Sequence, residues 1–286
     1  VLPTHDRPDL LAEAIESVRA QTHDNWQLIV VDDASTTPAV VPDDARIEII
    51  RNASSCGGAQ SKNIGARHAT GDLLAFLDDD DLYAPTYLER ASAALSENPE
   101  IDVMFMGVSW FGERGEAGQR AYEKAMESLM ANLSPFTTRG DVVVFDREKL
   151  FNGLLHTVPM AFQRPVLRRA MFERVGSYQP DILLWDCDWA IRAALQANCA
   201  LIRDGLYLQR AAGQGFSSQH DRRTEHLRSN VLMKKRLLQT SLSTAQHSAI
   251  REALEELWFG AAWSSYQEGK LALAIEYLWN SARIKP

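Results

Sequence analysis

Cysteine is scarce in this chain. Cys56, Cys187 and Cys199 are the three among 286 residues, and none shares a C-x-x-C spacing. That argues against a disulfide framework or a cysteine-built zinc site, and makes a reducing, cytosolic compartment the default. Long apolar runs are missing too: none approaches the roughly 18 residues that a bilayer span requires. Basic residues are not in excess. The net charge is −8 and the pI near 5.4, which argues against a general nucleic-acid-binding role and leaves a nucleotide phosphate in need of a bridging metal. No G-x-G-x-x-G follows the first apolar run, which disfavours a dinucleotide-dependent dehydrogenase.

What is present is an ordinary globular composition, 45% hydrophobic and 24% charged, in a length that suits one large α/β domain or a domain with an appendage. Val1-Leu2-Pro3 reads as the end of a strand, so the expectation is a longer natural chain upstream. Leu10, Leu11, Ala14, Ile15 and Val18 have helical spacing behind Pro8, a residue tolerated at a helix start. Trp26 to Val31 is a buried-type strand ending in Asp32-Asp33, and Ile47 to Ile50 is another. A small-residue loop at 54–58 leads into a helix from about Gln60 to Ala69. Strand and helix alternate through the first hundred residues, which predicts a mostly parallel sheet with helices on its faces. Ligands of such sheets bind at the carboxyl ends of the strands.

The stretch Leu73-Leu74-Ala75-Phe76-Leu77 runs straight into Asp78-Asp79-Asp80-Asp81. Neighbouring carboxylates at about 4 Å repel by roughly 1 kcal/mol each even in water, and more at the end of a buried strand. Capping the helix predicted after Pro85 accounts for one or two acids at most, at about 0.3–1 kcal/mol each. A divalent cation with oxygen ligands, of the Mn²⁺ or Mg²⁺ kind that arrives with phosphates, relieves the remainder. Asp33 stands at the end of the neighbouring strand, so two acidic tips face one crevice.

Downstream, Asp102–Trp110 and Val142–Phe145 read as strands. Residues 112–139 read as a lid-like excursion with a helix over Ala121–Leu133, His156–Gln163 as extended, and Pro165–Val175 as a helix. Trp185-Asp186-Cys187-Asp188-Trp189 opens a helix to about Ala197. Leu201-Ile202 and Leu206–Leu208 read as separate strands, and 211–220 as a polar loop. Only helical patterns follow. Trp258, Ala262, Gly269, Ala274, Leu278 and Pro286 have spacings that resemble one tetratricopeptide-type hairpin.

Pro3-Thr4-His5-Asp6-Arg7-Pro8, Ser17 to Thr22, Val30 to Thr36, Asn63-Ile64-Gly65-Ala66, Gly71 through Asp81, Gly176 and Trp185 to Arg192 together resemble family-two glycosyltransferases. The resemblance covers roughly residues 1–220. It implies the GT-A fold: a Rossmann-like α/β nucleotide-binding half (1–100) joined to an acceptor half (101–220) in one sheet, here followed by an all-helical extension (221–286). It implies sugar transfer from a nucleotide-sugar, a UDP-sugar first among candidates, to a glycan or lipid-linked acceptor, with inversion and with Mn²⁺ or Mg²⁺ present. Thr4 would sit by the nucleotide, Asp33 would bond the base, Asp79 would lie near the ribose, and Asp80 would be the metal ligand behind Asp78, the first acid of the DXD spacing. Lys62 stands where the family carries Arg, keeping the charge without the bidentate fork. Asp186, six residues before Arg192, maps to the catalytic base, although Trp185 replaces the usual preceding glutamate; Asp188 is the rival.

Each residue also has a duller reading. Asp186 would serve as a helix N-cap, Lys62 as a surface lysine, and Arg210 as the partner of a surface acid rather than of diphosphate. Asp6 and Arg7 would shape a turn, and His5 would pack beside the base. His220 is either a metal or diphosphate contact or a solvated loop residue. Trp185 or Trp189 would offer an acceptor sugar a stacking face. A sugar nucleotidyltransferase and an inactive GT-A binding module are the alternative functions. The extension would recruit a protein partner or a membrane-associated assembly, with the inner membrane face as a peripheral location.

Overall fold

The computed structural model describes residues 1–211 and 222–284. The first strand, β1 (Leu2–Thr4), leads into α1 (Pro8–Arg19), whose buried Leu11, Ala14, Ile15 and Val18 recur at helical spacing on one face. Strands β2 (Leu28–Asp32) and β3 (Ile47–Arg51) pair in parallel with β1 in the order β1-β2-β3. Every residue of β2 is buried, as its unbroken apolar run requires, whereas the outer strand β3 is largely open to solvent. Helix α2 (Gly58–His68) packs on β1 and β2 and leads to β4 (Leu73–Ala75), β5 (Leu82–Tyr83) and α3 (Tyr87–Glu97).

The second half comprises β6 (Val103–Phe111), α4 (Gly115–Leu133), β7 (Thr137–Arg139), β8 (Val142–Val144), α5 (Arg147–His156), a 3₁₀ turn (Met160–Gln163), β9 (Pro165–Arg168), α6 (Arg169–Val175), α7 (Trp185–Gln196) and β10 (Cys199–Arg210). Its strands run β4-β9-β6-β10-β8-β7, with β5 on the far end of β10. The two sheets meet where Val1 bonds Ala75 and Leu77 on either side, the parallel pattern, so β1 lies beside β4. The longest ladders, β2–β3 and β6–β10, are parallel. Two acidic strand ends, after β2 and β4, therefore open on one side of the sheet. The α/β sheet with a helical C-terminal part is the architecture expected.

Several local expectations change. Residues 112–139 are no excursion: α4 is one helix whose Leu129 and Leu133 are buried against α5 and β6. Gly118 is a packing requirement within that helix, since a Cβ there would stand 2.5 Å from the Trp110 ring. The segment expected to be extended from His156 to Gln163 is mostly not. His156 closes α5, a helix started by Asp146, whose side chain accepts from the Lys149 N–H at 2.9 Å, and Met160–Gln163 is the 3₁₀ turn. The helix expected from Pro165 begins four residues later. Pro165–Arg168 is instead an antiparallel strand wedged between β4 and β6, because Val166 and Leu167 are buried from both sheet faces. The two strands expected around Gly205 are one strand, β10, with a register shift between Ile202 and Tyr207. At that shift the backbone of β10 leaves no room beside Gly107, where a Cβ would meet Arg203 O at 2.2 Å.

Helices α8 (Arg223–Leu237), α9 (Thr244–Gln267) and α10 (Leu271–Ala282) complete the described chain. Ser243 and Gln246 form a reciprocal capping box at the start of α9. Val231, Met233 and Leu237 of α8 and Ile250, Ala253 and Leu254 of α9 join the same buried cluster as the sheet. Beyond that point α9 and α10 pair with each other, with Trp258 against Tyr277 at 5.3 Å.

Candidate active site

The chain turns sharply at the end of β1. Asp6 adopts a left-handed backbone (φ 53°), as does Ala34 (φ 59°) after β2. Non-glycine residues seldom do so, and the strain is held by cross-loop bonds. The Asp6 N–H donates to Ser35 Oγ (3.0 Å), and the Asp6 carboxylate accepts from the N–H and hydroxyl of Thr36. His5 Nδ1 lies 2.8 Å from the Asp33 carbonyl. These bonds fasten the tips of β1 and β2 together and aim Arg7 at the acid cluster beyond β4.

The four acids of that cluster have four different environments. Asp81 is fully buried and accepts from Tyr207 Oη (2.9 Å), Gln209 Nε2 (3.0 Å) and the Arg210 N–H (2.8 Å), which pins β10 to the cluster. Burial pushes its carboxyl up, with Arg164 pulling the other way. Asp78 meets Lys62 Nζ at 2.5 Å and Arg164 at 3.4 Å. Burial alone would raise it, but Lys62 and Arg164 hold it down to about 2. Asp79 accepts from the Thr4 hydroxyl (2.8 Å) and from Arg7 (3.0 Å). Asp80 shares the same Arg7 nitrogen at 3.1 Å. For both, burial outweighs the attraction of Arg7 and pushes the carboxyl up.

Asp33 accepts from Asn52 Nδ2, Ser55 Oγ and the N–H groups of Cys56 and Gly57, all within 2.9 Å. A carboxylate offers about four lone-pair directions, so each has a donor and the loop 52–57 is wrapped around it. Gly57 takes φ 84° to aim its N–H inward and then open α2. Burial opposes ionisation, but these donors outweigh it and hold the Asp33 carboxyl well below the usual range.

Across the crevice, the first turn of α7 carries both candidate bases, and their surroundings differ. Asp188 is buried and bound to Arg192 Nε at 2.7 Å. Arg192 then donates to the carbonyls of Val175, Gly176 and Ser177, tying α7 to the turn after α6. Asp186 is half-buried, accepts from the Cys187 N–H (2.8 Å) and has no ion-pair partner within 4 Å among the described residues. Burial pushes its carboxyl up against the pull of Arg164 and Lys62. Lys62 is no surface lysine: it is 2% exposed and lies 4.7 Å from the Trp185 ring. Trp185 is partly open, but Trp189 is 1% exposed and gives its indole N–H to Gly176 O, so it is core and offers no stacking face.

Arg210 pairs with Glu13 and donates to the Asp80 carbonyl, its duller reading. His220 lies outside the described residues. Among the described residues no three His, Cys, Asp or Glu side chains form a ready metal cage. The donor set still suits Mn²⁺ or Mg²⁺: it is all oxygen, and its acids Asp79 and Asp80 are ones whose charge burial disfavours. Such ions use one or two carboxylates and take the rest of their shell from phosphates and water.

The profile described as "Glycosyl transferase family 2" matches residues 1–151, more than half of the chain. The chain belongs to that family. A putative glycosyltransferase of Bacillus subtilis, EpsE, is 39% identical over 134 residues, covering 44% of this chain and 48% of that protein. The match to a glycosyltransferase of Haemophilus influenzae is 36% identical and covers 37% of this chain and 36% of the relative, so less than half of either relative's length is matched. Among solved structures, residues 1–349 of S. aureus TarS in complex with UDP-GlcNAc superpose with a TM-score of 0.70 at 17% identity, covering all of this chain and 80% of that one. The Pyrobaculum calidifontis mannosyltransferase PcManGT, in complex with GDP-Man and Mn²⁺, gives 0.57 at 17% identity over 99% of this chain and 74% of that one. The fold is GT-A.

Sequence reasoning missed one residue of this candidate site. Arg164 is 5% exposed and enters the crevice from the start of β9. It lies 3.4 Å from Asp78 and 3.7 Å from Asp81, gives a 2.8 Å bond to Gln209, and covers the Tyr207 ring at 4.7 Å. Its charge also acts on Asp186. A signal existed in Arg164-Pro165: proline fits the start of a strand poorly paired on one side, and that strand points the preceding residue into the crevice.

Proposed function

We propose that this chain transfers a sugar from a nucleoside-diphosphate sugar to an acceptor hydroxyl in one inverting displacement. The observation that carries the reading is the contrast on α7: Asp188 is consumed by Arg192, whereas Asp186 is unpaired among the described residues and acts electrostatically on Arg164 beside the acid cluster. Burial pushes both carboxyls up, so it is the absence of an ion-pair partner within 4 Å among the described residues that leaves Asp186 available as a base. A positioned base contributes about 10²–10⁴-fold. UDP-GlcNAc in the TarS complex favours a UDP-sugar as donor, and the acceptor class in this reading is a glycan or lipid-linked glycan.

Asp80 would hold a Mn²⁺ or Mg²⁺ ion, which when bound supplies Lewis-acid neutralisation of the leaving diphosphate; the Mn²⁺ in the PcManGT complex favours use of a divalent ion. Lys62 and Arg164 fix Asp78 in its ionised form. Thr4 and Arg7 orient Asp79 for the ribose side of the donor. Asp33 acts on the base by ordering loop 52–57 around itself. The acceptor O–H gives its proton to Asp186 as the new bond forms to the anomeric carbon and the bond to diphosphate oxygen breaks on the opposite face.

The test is release of nucleoside diphosphate from a panel of UDP-, GDP- and dTDP-sugars, with Mn²⁺ and with chelator. One donor class is expected to turn over only with metal, and NMR of the product is expected to show the inverted anomer. No release from any donor, together with no thermal shift from any nucleoside diphosphate plus Mn²⁺, would sink the reading.

A further inference from the structure

Large apolar side chains crowd the outside of the α9–α10 hairpin. Phe259, Trp263 and Tyr266 on α9 are 56–58% exposed, and Leu271, Ile275, Leu278 and Trp279 on α10 are 46–61% exposed. The hairpin seam is made by Ala262 and Ser265 with Trp258 on one helix, and by Ala274, Tyr277 and Ser281 on the other. On α9 the exposed stripe follows the seam at i+1 and i+4, as Trp263 and Tyr266 follow Ala262. On α10 it does the same, as Ile275 and Leu278 follow Ala274. Equal rotations away from a shared seam, on antiparallel helices, carry both stripes to the same side. The exposed residues therefore form one slab face, and Trp263 and Tyr266 already touch within it at 5.9 Å between ring centres.

We propose that this face binds the same face of a second copy of the chain, closing the two hairpins into a four-helix bundle about a two-fold axis. Its size fits that occupant. With aromatic side chains contributing about 150–250 Å² each when fully exposed, the open apolar area is on the order of 800 Å². That exceeds the roughly 300–600 Å² of the largest patch on a typical monomer and equals the about 800 Å² that each partner supplies to a standard interface. The surrounding charge also fits. Residues 244–286 hold four Lys or Arg and five Asp or Glu, a net of −1 (4 − 5), whereas an anionic lipid surface is recognised by clusters of Lys and Arg. Both signs stand around the face: Lys270 pairs with Glu268 at the hairpin turn, and Arg283, at the end of α10, lies over the Trp279 ring at 5.1 Å. A two-fold interface needs such a self-complementary patch.

Sedimentation velocity and light scattering on the full chain test this. The expected mass is twice 32.0 kDa, falling to the single-chain value in Trp263→Glu and in Trp279→Glu. Circular dichroism and nucleotide thermal shifts are expected to match the wild type, and Ile275→Glu serves as the control if a tryptophan variant misfolds. A wild-type monomer at tens of micromolar, or a dimer that survives all three substitutions, overturns the proposal. So does a monomer that floats with phosphatidylcholine–phosphatidylglycerol vesicles, which would assign the face to a membrane surface.

Discussion

Replacing each acid on the first turn of α7 by its amide separates chemistry from structure. Asp186→Asn removes the proposed proton acceptor, so kcat is expected to fall by about 10²–10⁴-fold, or roughly 3–5 kcal/mol of barrier. Donor affinity is expected to hold, because Asp186 lies on the acceptor side of the crevice in this reading. Stability is expected to stay level or rise at neutral pH. A carboxyl whose folded pKa is raised by burial is penalised whenever it is ionised in the folded state, and a neutral amide does not pay that penalty. Asp188→Asn is expected to do the reverse. It leaves the nearly buried Arg192 without its carboxylate. Burial pushes the Asp188 carboxyl up as well, which offsets part of that loss, so the cost is expected to reach at most about 3 kcal/mol, or roughly 6–12 °C in Tm for a chain of this size. Scanning calorimetry and steady-state rates on the two variants read these effects separately. In the wild type, the acidic limb of kcat/KM is expected above the ordinary aspartate value of about 3.9. Full turnover in Asp186→Asn, beside an inactive but thermally unchanged Asp188→Asn, would move the base to Asp188 and refute the reasoning.

Three further outcomes are expected. Asp80→Asn should weaken Mn²⁺-dependent binding of nucleoside diphosphate at least tenfold by calorimetry while leaving metal-independent binding intact, and unchanged affinity would remove Asp80 from the metal site. Asp33→Ala leaves the N–H groups of Cys56 and Gly57 without their acceptor, so loop 52–57 should exchange its amide hydrogens faster and KM for the donor should rise; unaltered exchange would show that the loop is held by other contacts. Gly107→Ala forces a Cβ into the Arg203 and Asp204 carbonyls and should cost about 1–3 kcal/mol by overpacking, read as a lower urea midpoint, and no shift would mean that the β10 bulge yields freely.

The acid cluster, the α1 and α7 helices and the alternation of the first hundred residues were legible because each rests on local pattern: a run of like charges, a 3.6-residue period, an apolar run stopped by polar residues. The errors fall where long-range packing overrules local pattern. Residues 112–139 looked like an excursion because the sequence does not reveal that Trp110 packs against Gly115 and Gly118. Pro165–Arg168 looked like a helix start because nothing nearby shows that β4 and β6 flank it. The same blindness hid Arg164, whose partners Asp78, Asp81 and Gln209 lie from 45 to 86 positions away in the chain. Lys62 was half legible: the motif marked the position, and only packing beneath Trp185 shows that its charge is buried.

These distant partners explain how four adjacent aspartates coexist. Two of them are committed inward. Asp81 faces Tyr207, Gln209 and the Arg210 N–H, and Asp78 is locked between Lys62 and Arg164. Asp79 and Asp80 share one guanidinium, that of Arg7. A single guanidinium offers a monovalent charge spread over a planar fork, whereas a divalent ion places twice that charge on one point. Two carboxylates that burial still holds above their ordinary pKa in the presence of Arg7 therefore remain under-compensated. In the proposed reading the pair held by buried donors and cations shapes the crevice. Of the pair leaning on Arg7, Asp80 carries the unmet charge that a metal–diphosphate would answer, while Asp79 faces the ribose. Because Arg7 follows the strained Asp6 turn that Ser35 holds, the tips of β1 and β2 both bear on that charge balance, and in the proposed reading the two acidic strand ends would serve one donor.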